Sequence, residues 1–141
     1  MTAIENSRQD QTYNTPALAT IYLMNEQIAW FNQNGGLAWC TSRTAESSSI
    51  IYNWAQTSDF AEAYVQDPAK RSKVVATINF ADSIDAKAIA SVLRINGIVD
   101  TEPYRKLGKN QLRISVFPAV DPADVQALIN SIDYVVEQLN K

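Results

Sequence analysis

Apolar residues return at helical spacing in the first third of the chain. Across Pro16–Asn34 they recur every three or four positions, which indicates a helix of about five turns. Thr15 is expected to cap this helix, because its hydroxyl can pair with free amides, and Pro16 to be its first residue, because it has no amide to leave unpaired. The motif NGG at Asn34–Gly36 predicts the helix end, and a second helical pattern covers Leu37–Gln56.

Strand patterns appear after a less regular stretch at Thr57–Ser72, in which Asp67-Pro68 predicts a turn. The run KVVATINF at Lys73–Phe80 is rich in β-branched residues and predicts a strand. A short strand is expected at Ile98–Thr101. Alternating apolar residues in NQLRISVF, at Asn110–Phe117, predict another strand.

Two further apolar stripes, bounded by residues typical of helix starts and helix ends, predict two more helices. The segment DSIDAKAIASVLRINGI ends at a stop, Gly97, and offers three candidate caps: Asp82, Ser83 and Asp85. The last helix is expected to begin at DPAD, where Asp121 caps it and Pro122 is its first residue. Residues 1–11 are polar and lack periodicity, so they are expected to be extended or disordered.

The predicted order from Lys73 onward is β-α-β-β-α, which buries one face of a small mixed or antiparallel sheet under two helices. The expected fold class is α+β, an α/β two-layer sandwich with helices on one face of the sheet and a long linker helix before it. That first helix is expected to connect to something larger. Without such a partner its apolar residues, from Leu18 to Phe31, should drive self-association.

Composition excludes several classes of function. The 141-residue chain fits one domain, is 46% hydrophobic and carries a net charge of −3, without the basic excess of a nucleic-acid-binding protein. No apolar run approaches the roughly 20 residues that span a bilayer, and the first residues lack the parts of a secretory signal. We therefore expect a cytoplasmic protein with no membrane and no nucleic-acid partner.

Residue types narrow the chemistry further. The chain has no histidine and one cysteine, Cys40, which excludes disulfides, thiolate zinc sites and histidine-dependent catalysis. Cys40 is expected to be a small buried apolar residue. The carboxylates are scattered, so they form no pair for acid-base catalysis, and no metal site is expected.

The stretches that carry a family resemblance are TYNTPALATIYL, NGGL, Arg71-Ser72, INGIVDTEPYRKLG and QLRISVFPAV. Together they resemble the carboxy-terminal part of the phosphoserine aminotransferase family, and the similarity covers nearly the whole chain. Members are pyridoxal-phosphate (PLP) enzymes of the aspartate-aminotransferase fold type, with a large cofactor domain, a linking helix and a small C-terminal domain. The resemblance implies that residues 1–15 belong to the large domain, 16–36 to the linker helix and 37–141 to the small domain.

The same resemblance implies a homodimeric enzyme that exchanges an amino group between glutamate and 3-phosphohydroxypyruvate, giving 2-oxoglutarate and phosphoserine for serine biosynthesis. In the family, the large domain supplies the lysine that forms the Schiff base with PLP. All six lysines of this chain fall in the small-domain part: Lys70, Lys73, Lys87, Lys106, Lys109 and Lys141. The chain is therefore expected to contain no catalytic residue, to lack PLP and to be inactive alone.

Three residues carry over from the family's cofactor and carboxylate motifs. Asn14 and Thr15 in NTP imply contacts with the PLP phosphate of the neighbouring subunit, which the amides and dipole of a helix start would support. On spacing alone, a plain threonine cap with Asn14 in the preceding turn is the simpler interpretation. Arg113 faces away from the apolar side of its strand and implies binding of the substrate α-carboxylate; a solvated arginine is the alternative.

The basic loop YRKLGKN, at Tyr104–Asn110, corresponds to the place where many family members have a His-Arg pair that contacts the substrate phosphate. Because this chain has no histidine and a longer loop, only Arg105 carries over, with Lys106 as a weaker candidate. Unaided by the resemblance, a short basic loop is usually just solvated. A function of another class also stays open, since β-α-β-β-α units occur as stand-alone ligand-binding or dimerisation modules, and fold analogy does not separate the two.

Overall fold

Between residues 2 and 139, which the computed structural model describes, the chain forms five α-helices and three β-strands. The helices are α1 (Thr2–Ser7), α2 (Leu18–Gln33), α3 (Gly36–Thr57), α4 (Ala86–Ile95) and α5 (Pro122–Leu139). The strands are β1 (Ala61–Ala63), β2 (Val75–Phe80) and β3 (Gln111–Ser115). A 3₁₀ turn at Pro68–Lys70 follows Asp67 and confirms the predicted turn. The chain divides into two compact units, Met1–Cys40 and Thr41–Lys141.

The polar amino-terminal segment is helical over Thr2–Ser7, so the expectation of an extended or disordered lead-in is wrong there. Local side-chain bonds stabilise this short helix. Arg8 and Glu5, three residues apart, form a 2.7 Å ion pair, and the Asn6 amide donates to the Thr2 carbonyl at 3.0 Å. None of the helix residues is buried. The helix therefore needs no apolar stripe, and the sequence shows no apolar periodicity there.

Helix α2 begins at Leu18, two residues later than predicted, so Thr15 is not its cap and Pro16 is not its first residue. The Leu18 amide donates to the Pro16 carbonyl at 2.9 Å, and Ala17 between them has φ −74° and ψ 72°. These angles are those of an inverse γ-turn, which holds the backbone outside the helical region for one more residue. The end is as predicted, because the helix stops before Asn34 and Gly35 has φ 114°.

Many exposed side chains of α2 are apolar, and none of its residues is buried. Leu18 and Leu23 are 75% and 66% exposed. Four consecutive apolar residues at 21–24 spread over every side of the helix, so a single neighbour could not cover them all. The expectation that this helix exposes apolar residues is confirmed, whereas its self-association stays a prediction.

The strands form one antiparallel sheet in the order β1-β2-β3. The predicted strands at Lys73–Phe80 and Asn110–Phe117 are confirmed as β2 and β3. The predicted strand at Ile98–Thr101 is wrong: Asp100 has φ 63°, which breaks an extended run. That segment contributes one ladder-like bond, from the Arg113 amide to the Thr101 carbonyl.

Strand β1 lies in the stretch for which no strand was predicted. The element order from Ala61 is therefore β-β-α-β-α rather than β-α-β-β-α. Its sequence, AEA, has low strand propensity and forms because it pairs with β2.

One apolar core holds the second unit together. The inward face of the sheet contributes Ala76, Ile78 and Phe80 from β2 and Leu112 and Ile114 from β3, and it packs with buried residues of α3, α4 and α5. The helices cover a single face of the sheet, since the opposite face carries partly exposed polar residues. The predicted α+β class is confirmed. In the part of the chain that is described, no helix has the length and apolar character needed to cross a membrane.

Carboxylate caps begin α4 and α5. Asp85 accepts bonds from the amides of Lys87 and Ala88 at 2.8 and 3.2 Å, which selects it from the three candidates for α4. Asp121 accepts from the Ala123 amide at 2.9 Å, and Pro122 is the first residue of α5, as predicted. Cys40 is 8% exposed, which confirms the expected buried thiol.

Candidate functional site

The sheet face that points away from the core is polar. Because side chains alternate along a strand, the residues between the core positions of β2 and β3 lie on this outer face. The register pairs Thr77 with Arg113 and Asn79 with Gln111, and β1 places Glu62 opposite Asn79. Two of the rows that cross the outer face therefore carry these polar side chains.

The first row is a hydrogen-bonded chain across all three strands. The Gln111 side-chain amide donates to Asn79 Oδ1 at 2.6 Å, and the Asn79 side-chain amide donates to Glu62 Oε1 at 3.1 Å. Gln111 is only 1% exposed, although it lies on the outer face. These linked hydrogen bonds fix the orientation of the side-chain amides and stiffen the sheet two residues before Arg113.

The second row contains Arg113. Its side chain is exposed and lies opposite Thr77 on β2. Within residues 2–139 its guanidinium has no hydrogen bond, ion pair or ring contact. The prediction that Arg113 faces away from the core is confirmed. A planar guanidinium with unused donors can bind a carboxylate through two parallel hydrogen bonds.

Tyr64 and Lys109 extend this row on the other side of Thr77. The Tyr64 amide donates to the Thr77 carbonyl at 3.0 Å, which continues the β1–β2 register by one residue and places Tyr64 opposite Thr77. The Lys109 ammonium nitrogen lies 4.7 Å from the centre of the Tyr64 ring, a cation–π contact. Sequence reasoning missed this pair because Tyr64 lies in the stretch for which no strand was predicted. The alternation of small apolar and polar residues in AEAY was the available signal.

The loop that carries the basic residues is held at its first end by ion pairs. Arg94, on α4, contacts Glu102 through Nε at 2.6 Å and Asp100 through a terminal nitrogen at 3.0 Å. The hydrogen bond from Arg94 keeps the pKa of Glu102 below its usual range. These groups are exposed, so they orient the loop more than they stabilise the fold.

Asn110 holds the other end of the loop. Its side-chain carbonyl accepts from the Ala86 amide at 3.0 Å, and its amide donates to the carbonyls of Phe80, Ala81 and Ile84 at 3.3, 3.2 and 2.7 Å. One side chain thus joins the end of β2, the start of α4 and the start of β3. Nothing in the spacing of the sequence marked Asn110 as a structural centre.

Arg105 and Lys106 lie in the middle of this loop and are exposed. Across the described part of the chain, neither makes a hydrogen bond, ion pair or ring contact through its side chain. Their predicted contact with a substrate phosphate stays a prediction. No group of three or more metal-binding side chains occurs among residues 2–139.

Asn14 and Thr15 belong to the first unit and precede α2. Both are exposed, and their side chains make no hydrogen bond to any residue that the structure describes. Because Thr15 does not cap α2, the amide and the hydroxyl keep their donors for an external acceptor. Neutral donors of this kind fit the phosphate end of PLP, and these two residues supply nothing for the rest of the cofactor.

Residues 2–128 match the family model of class-V aminotransferases, and the chain belongs to that family. The chain is 62% identical over 137 residues to the phosphoserine aminotransferase of Rhodococcus jostii, a match covering 97% of this chain and 37% of the relative. It is 61% identical over 138 residues to that of Nocardioides sp., with 98% and 37% covered. The resemblance inferred from the sequence motifs is therefore confirmed, and the chain spans about 37% of the length of these relatives.

Solved structures agree in fold. The phosphoserine aminotransferase from Bacillus circulans subsp. alkalophilus superposes with a TM-score of 0.84 at 27% identity, over 98% of this chain and 37% of that one. The PLP-bound phosphoserine aminotransferase from Trichomonas vaginalis gives a TM-score of 0.73 at 20% identity, over 91% and 36%. The second likeness concerns the fold alone.

Proposed function

We propose that this chain is the carboxy-terminal part of a PLP-dependent phosphoserine aminotransferase, a homodimeric cytoplasmic enzyme. The reaction transfers an amino group from glutamate to 3-phosphohydroxypyruvate and yields 2-oxoglutarate and phosphoserine for serine biosynthesis. The observation that carries the proposal is the 62% identity over 137 residues to the Rhodococcus jostii enzyme. In this proposal residues 1–15 belong to the large domain, residues 16–36 to the linker helix and residues 37–141 to the small domain.

Arg113 is the proposed ligand of the substrate α-carboxylate. Its exposure on the outer face of the sheet and its unused donors, within the described residues, support this role. The neighbouring hydrogen bonds from Gln111 through Asn79 to Glu62 do not use its guanidinium, and they tie β3 to the other two strands beside it. A lysine at this place could not make the paired bonds.

Asn14 and Thr15 are the proposed contacts to the PLP phosphate of the partner subunit. Their unengaged amide and hydroxyl support this role, since a phosphate accepts several hydrogen bonds at once. When bound, PLP supplies the electron sink for the amino-group exchange. The residues of this chain bind and orient charged groups, and Arg105, with Lys106 beside it, is the family-based candidate for the substrate phosphate.

The missing lysine limits what the chain can do alone. Each of its lysines lies at position 70 or later, in the part proposed as the small domain. We expect the 141-residue chain to have no transaminase activity and to bind PLP only weakly. Its residues complete an active site whose cofactor-bearing part lies in the two thirds of the relatives that it does not span.

A chimera tests the proposal. This chain replaces the matching 137-residue part of the Rhodococcus jostii enzyme, and the release of 2-oxoglutarate from glutamate and 3-phosphohydroxypyruvate is measured. We expect turnover within about tenfold of the parent enzyme, because a homologous part should restore the transition-state contacts at little cost in free energy. A folded, PLP-loaded chimera without turnover would contradict the proposal.

A further inference from the structure

We propose that Arg94, on α4, is a positioning residue for Arg113: it fixes residues 100–102 along the open edge of β3, and this segment holds the strand at the position that carries the guanidinium. The inference rests on the proposed role of Arg113 as a carboxylate ligand. It gives a function to ion pairs that neither the motifs nor the comparisons assign. Arg94 touches no substrate here and acts through the backbone of its neighbours.

The backbone of Arg113 faces the open edge of the sheet. Strand β3 is the last in the order β1-β2-β3 described for residues 2–139. Successive residues of an antiparallel strand direct their amides to opposite sides. The Val116 amide donates towards β2, to the Val74 carbonyl, at 2.9 Å. Arg113, three residues earlier, therefore directs its amide to the opposite side, where the Thr101 carbonyl accepts it at 3.0 Å.

Thr101 is held in turn by ion pairs of the residues on both sides of it. Arg94 donates to Glu102 twice, from Nε to Oε1 at 2.6 Å and from Nη2 to Oε2 at 3.0 Å. This paired geometry orients a guanidinium and a carboxylate relative to each other. Arg94 Nη2 also donates to Asp100 Oδ1 at 3.0 Å. One side chain thus fixes residues 100 and 102, and the carbonyl between them meets β3.

The backbone of Asp100 depends on this contact. Its φ of 63° lies in the left-handed region, which is unfavourable for most residues other than glycine. The bond from Arg94 favours that conformation, and Thr101, the next residue, is only 5% exposed. Loss of Arg94 should let the turn relax and move the Thr101 carbonyl away from the Arg113 amide.

This arrangement should affect catalysis more than stability. The ion pairs of Arg94 are exposed, and exposed ion pairs contribute little to the free energy of unfolding. Paired hydrogen bonds from Arg113 to a carboxylate depend instead on distance and angle. A small displacement of the Arg113 backbone should therefore weaken substrate binding while the fold stays intact, which distinguishes a positioning role from a structural one.

Hydrogen exchange of the 141-residue chain, followed residue by residue by NMR, tests the contact itself. Arg94→Met should speed exchange of the Arg113 amide by about tenfold or more, because its bond opens more often, and leave the Val116 amide within about twofold. Lys70→Met, which removes an exposed ion pair with Asp67, is the matched control and should change neither amide. An Arg113 amide that exchanges equally fast with and without Arg94 would overturn the inference.

Kinetics of the PLP-loaded chimera test the consequence. Arg94→Met should raise KM for glutamate and for O-phospho-L-serine alike, by about 5- to 20-fold, with kcat within about threefold, because Arg113 is the proposed carboxylate ligand of both amino acids. The urea midpoint should not change. Arg94→Lys, which keeps the charge without the paired bonds, should have an intermediate KM. Lys70→Met should leave both constants within about twofold.

A double substitution tests whether Arg94 acts through Arg113. In an Arg113→Lys chimera, Arg94→Met should cause less than about a twofold further loss of kcat/KM, since the paired bonds that it would disturb are already gone. A full 5- to 20-fold further loss would overturn the inference. So would a rise in KM confined to O-phospho-L-serine, because Arg94 would then serve the basic loop and its contact with phosphate.

The outcomes separate this inference from the proposed function. An active chimera whose KM values are unchanged by Arg94→Met would overturn the inference and leave the function intact. A folded, PLP-loaded chimera without turnover would overturn the proposed function, whatever the exchange rate of the Arg113 amide.

Discussion

At the scale of single residues, the side chains of Arg113 and Asn110 in the second unit differ in what they bond to. Arg113 is exposed with unused donors among the described residues, whereas Asn110 uses both ends of its side chain inside the fold. The first is the proposed ligand contact, and the second joins three elements of the fold. Substitutions at the two positions should therefore affect activity and stability separately.

Arg113→Lys should disable the enzyme without unfolding it. In the chimera we expect kcat/KM for 3-phosphohydroxypyruvate to fall about 100-fold, because a lysine keeps the charge and loses the paired hydrogen bonds to the carboxylate. Arg8→Lys, which alters only an exposed ion pair with Glu5, is the matched control and should stay within about twofold. Equal effects of the two substitutions would remove Arg113 from the site.

Asn110→Ala should destabilise the chain without a change of net charge. It removes three donated bonds and one accepted bond, and we expect the free energy of unfolding in urea to fall by about 2–4 kcal/mol. Asn96→Ala is the control, because the Asn96 side chain makes one exposed bond, to the Val92 carbonyl. A loss at Asn110 no larger than that at Asn96 would refute its role as a junction.

The sequence predicted the direction of a side chain correctly where the pattern of a single strand decides it. The alternation around Arg113 fixed its direction, because side chains of a strand point to opposite faces in turn. Tyr64 and Lys109 could not be paired in this way. Their contact depends on a strand that forms only through pairing and on a loop whose course Asn110 sets, and neither is encoded in local spacing.

At the scale of elements, helix starts show how local signals compete. Asp121 caps its helix as predicted, and Asp85 is the cap among three candidates for α4, because a carboxylate reaches the free amides of the first turn directly. Thr15 and Pro16 carry the same kind of signal, and yet α2 begins at Leu18 because a γ-turn at Ala17 intervenes. Strand β1 was missed for the opposite reason: its residues have low strand propensity and only a short alternation, and the strand forms because it pairs with β2.

The cap at Asp121 predicts a pH dependence of stability. Its bonds from the Ala123 amide and from Arg43 keep the pKa of this carboxyl below its usual range. The ionised form is therefore favoured by folding, so its contribution is complete above the ordinary aspartate range, about pH 4, and is lost as the pH falls through the lowered pKa.

Asp121→Asn should accordingly lower the urea midpoint at pH 7, and its difference from the original chain should shrink as the pH falls towards about 2. Asp82→Asn, at an exposed aspartate whose side chain makes no bond to another described residue, should show little difference at either pH. A gap at Asp121 that stays constant between the two pH values would contradict this account of the cap.

The exposed helix α2 should make the isolated chain self-associate. Sedimentation velocity should show a mass that rises with concentration, and Leu18→Lys with Leu23→Lys should shift the chain towards monomer, because both leucines are largely exposed. Ile95→Lys, at an 85% exposed isoleucine outside α2, is the control and should leave the association unchanged. A monomer at every concentration would contradict the prediction.

At the scale of the whole molecule, the chain corresponds to one part of longer relatives. It carries an arginine, a lysine and two neutral donors that suit anionic groups, and its helix α2 exposes apolar residues on all sides. Its relatives are nearly three times longer, since the chain spans about 37% of them. The resemblance was enough to predict this partial coverage, because the motifs that carry it correspond to the carboxy-terminal part of the family.

The most direct test of the central claim, that this chain completes an active site without containing the lysine that tethers the cofactor, is one transamination assay on two samples. The isolated 141-residue chain and the chimera are each given PLP, glutamate and 3-phosphohydroxypyruvate, then reduced with borohydride and analysed by mass spectrometry. The account predicts turnover and a lysine-bound cofactor only in the chimera, with the lysine outside this chain. Turnover by the isolated chain, with the cofactor attached to one of its own lysines, would contradict it.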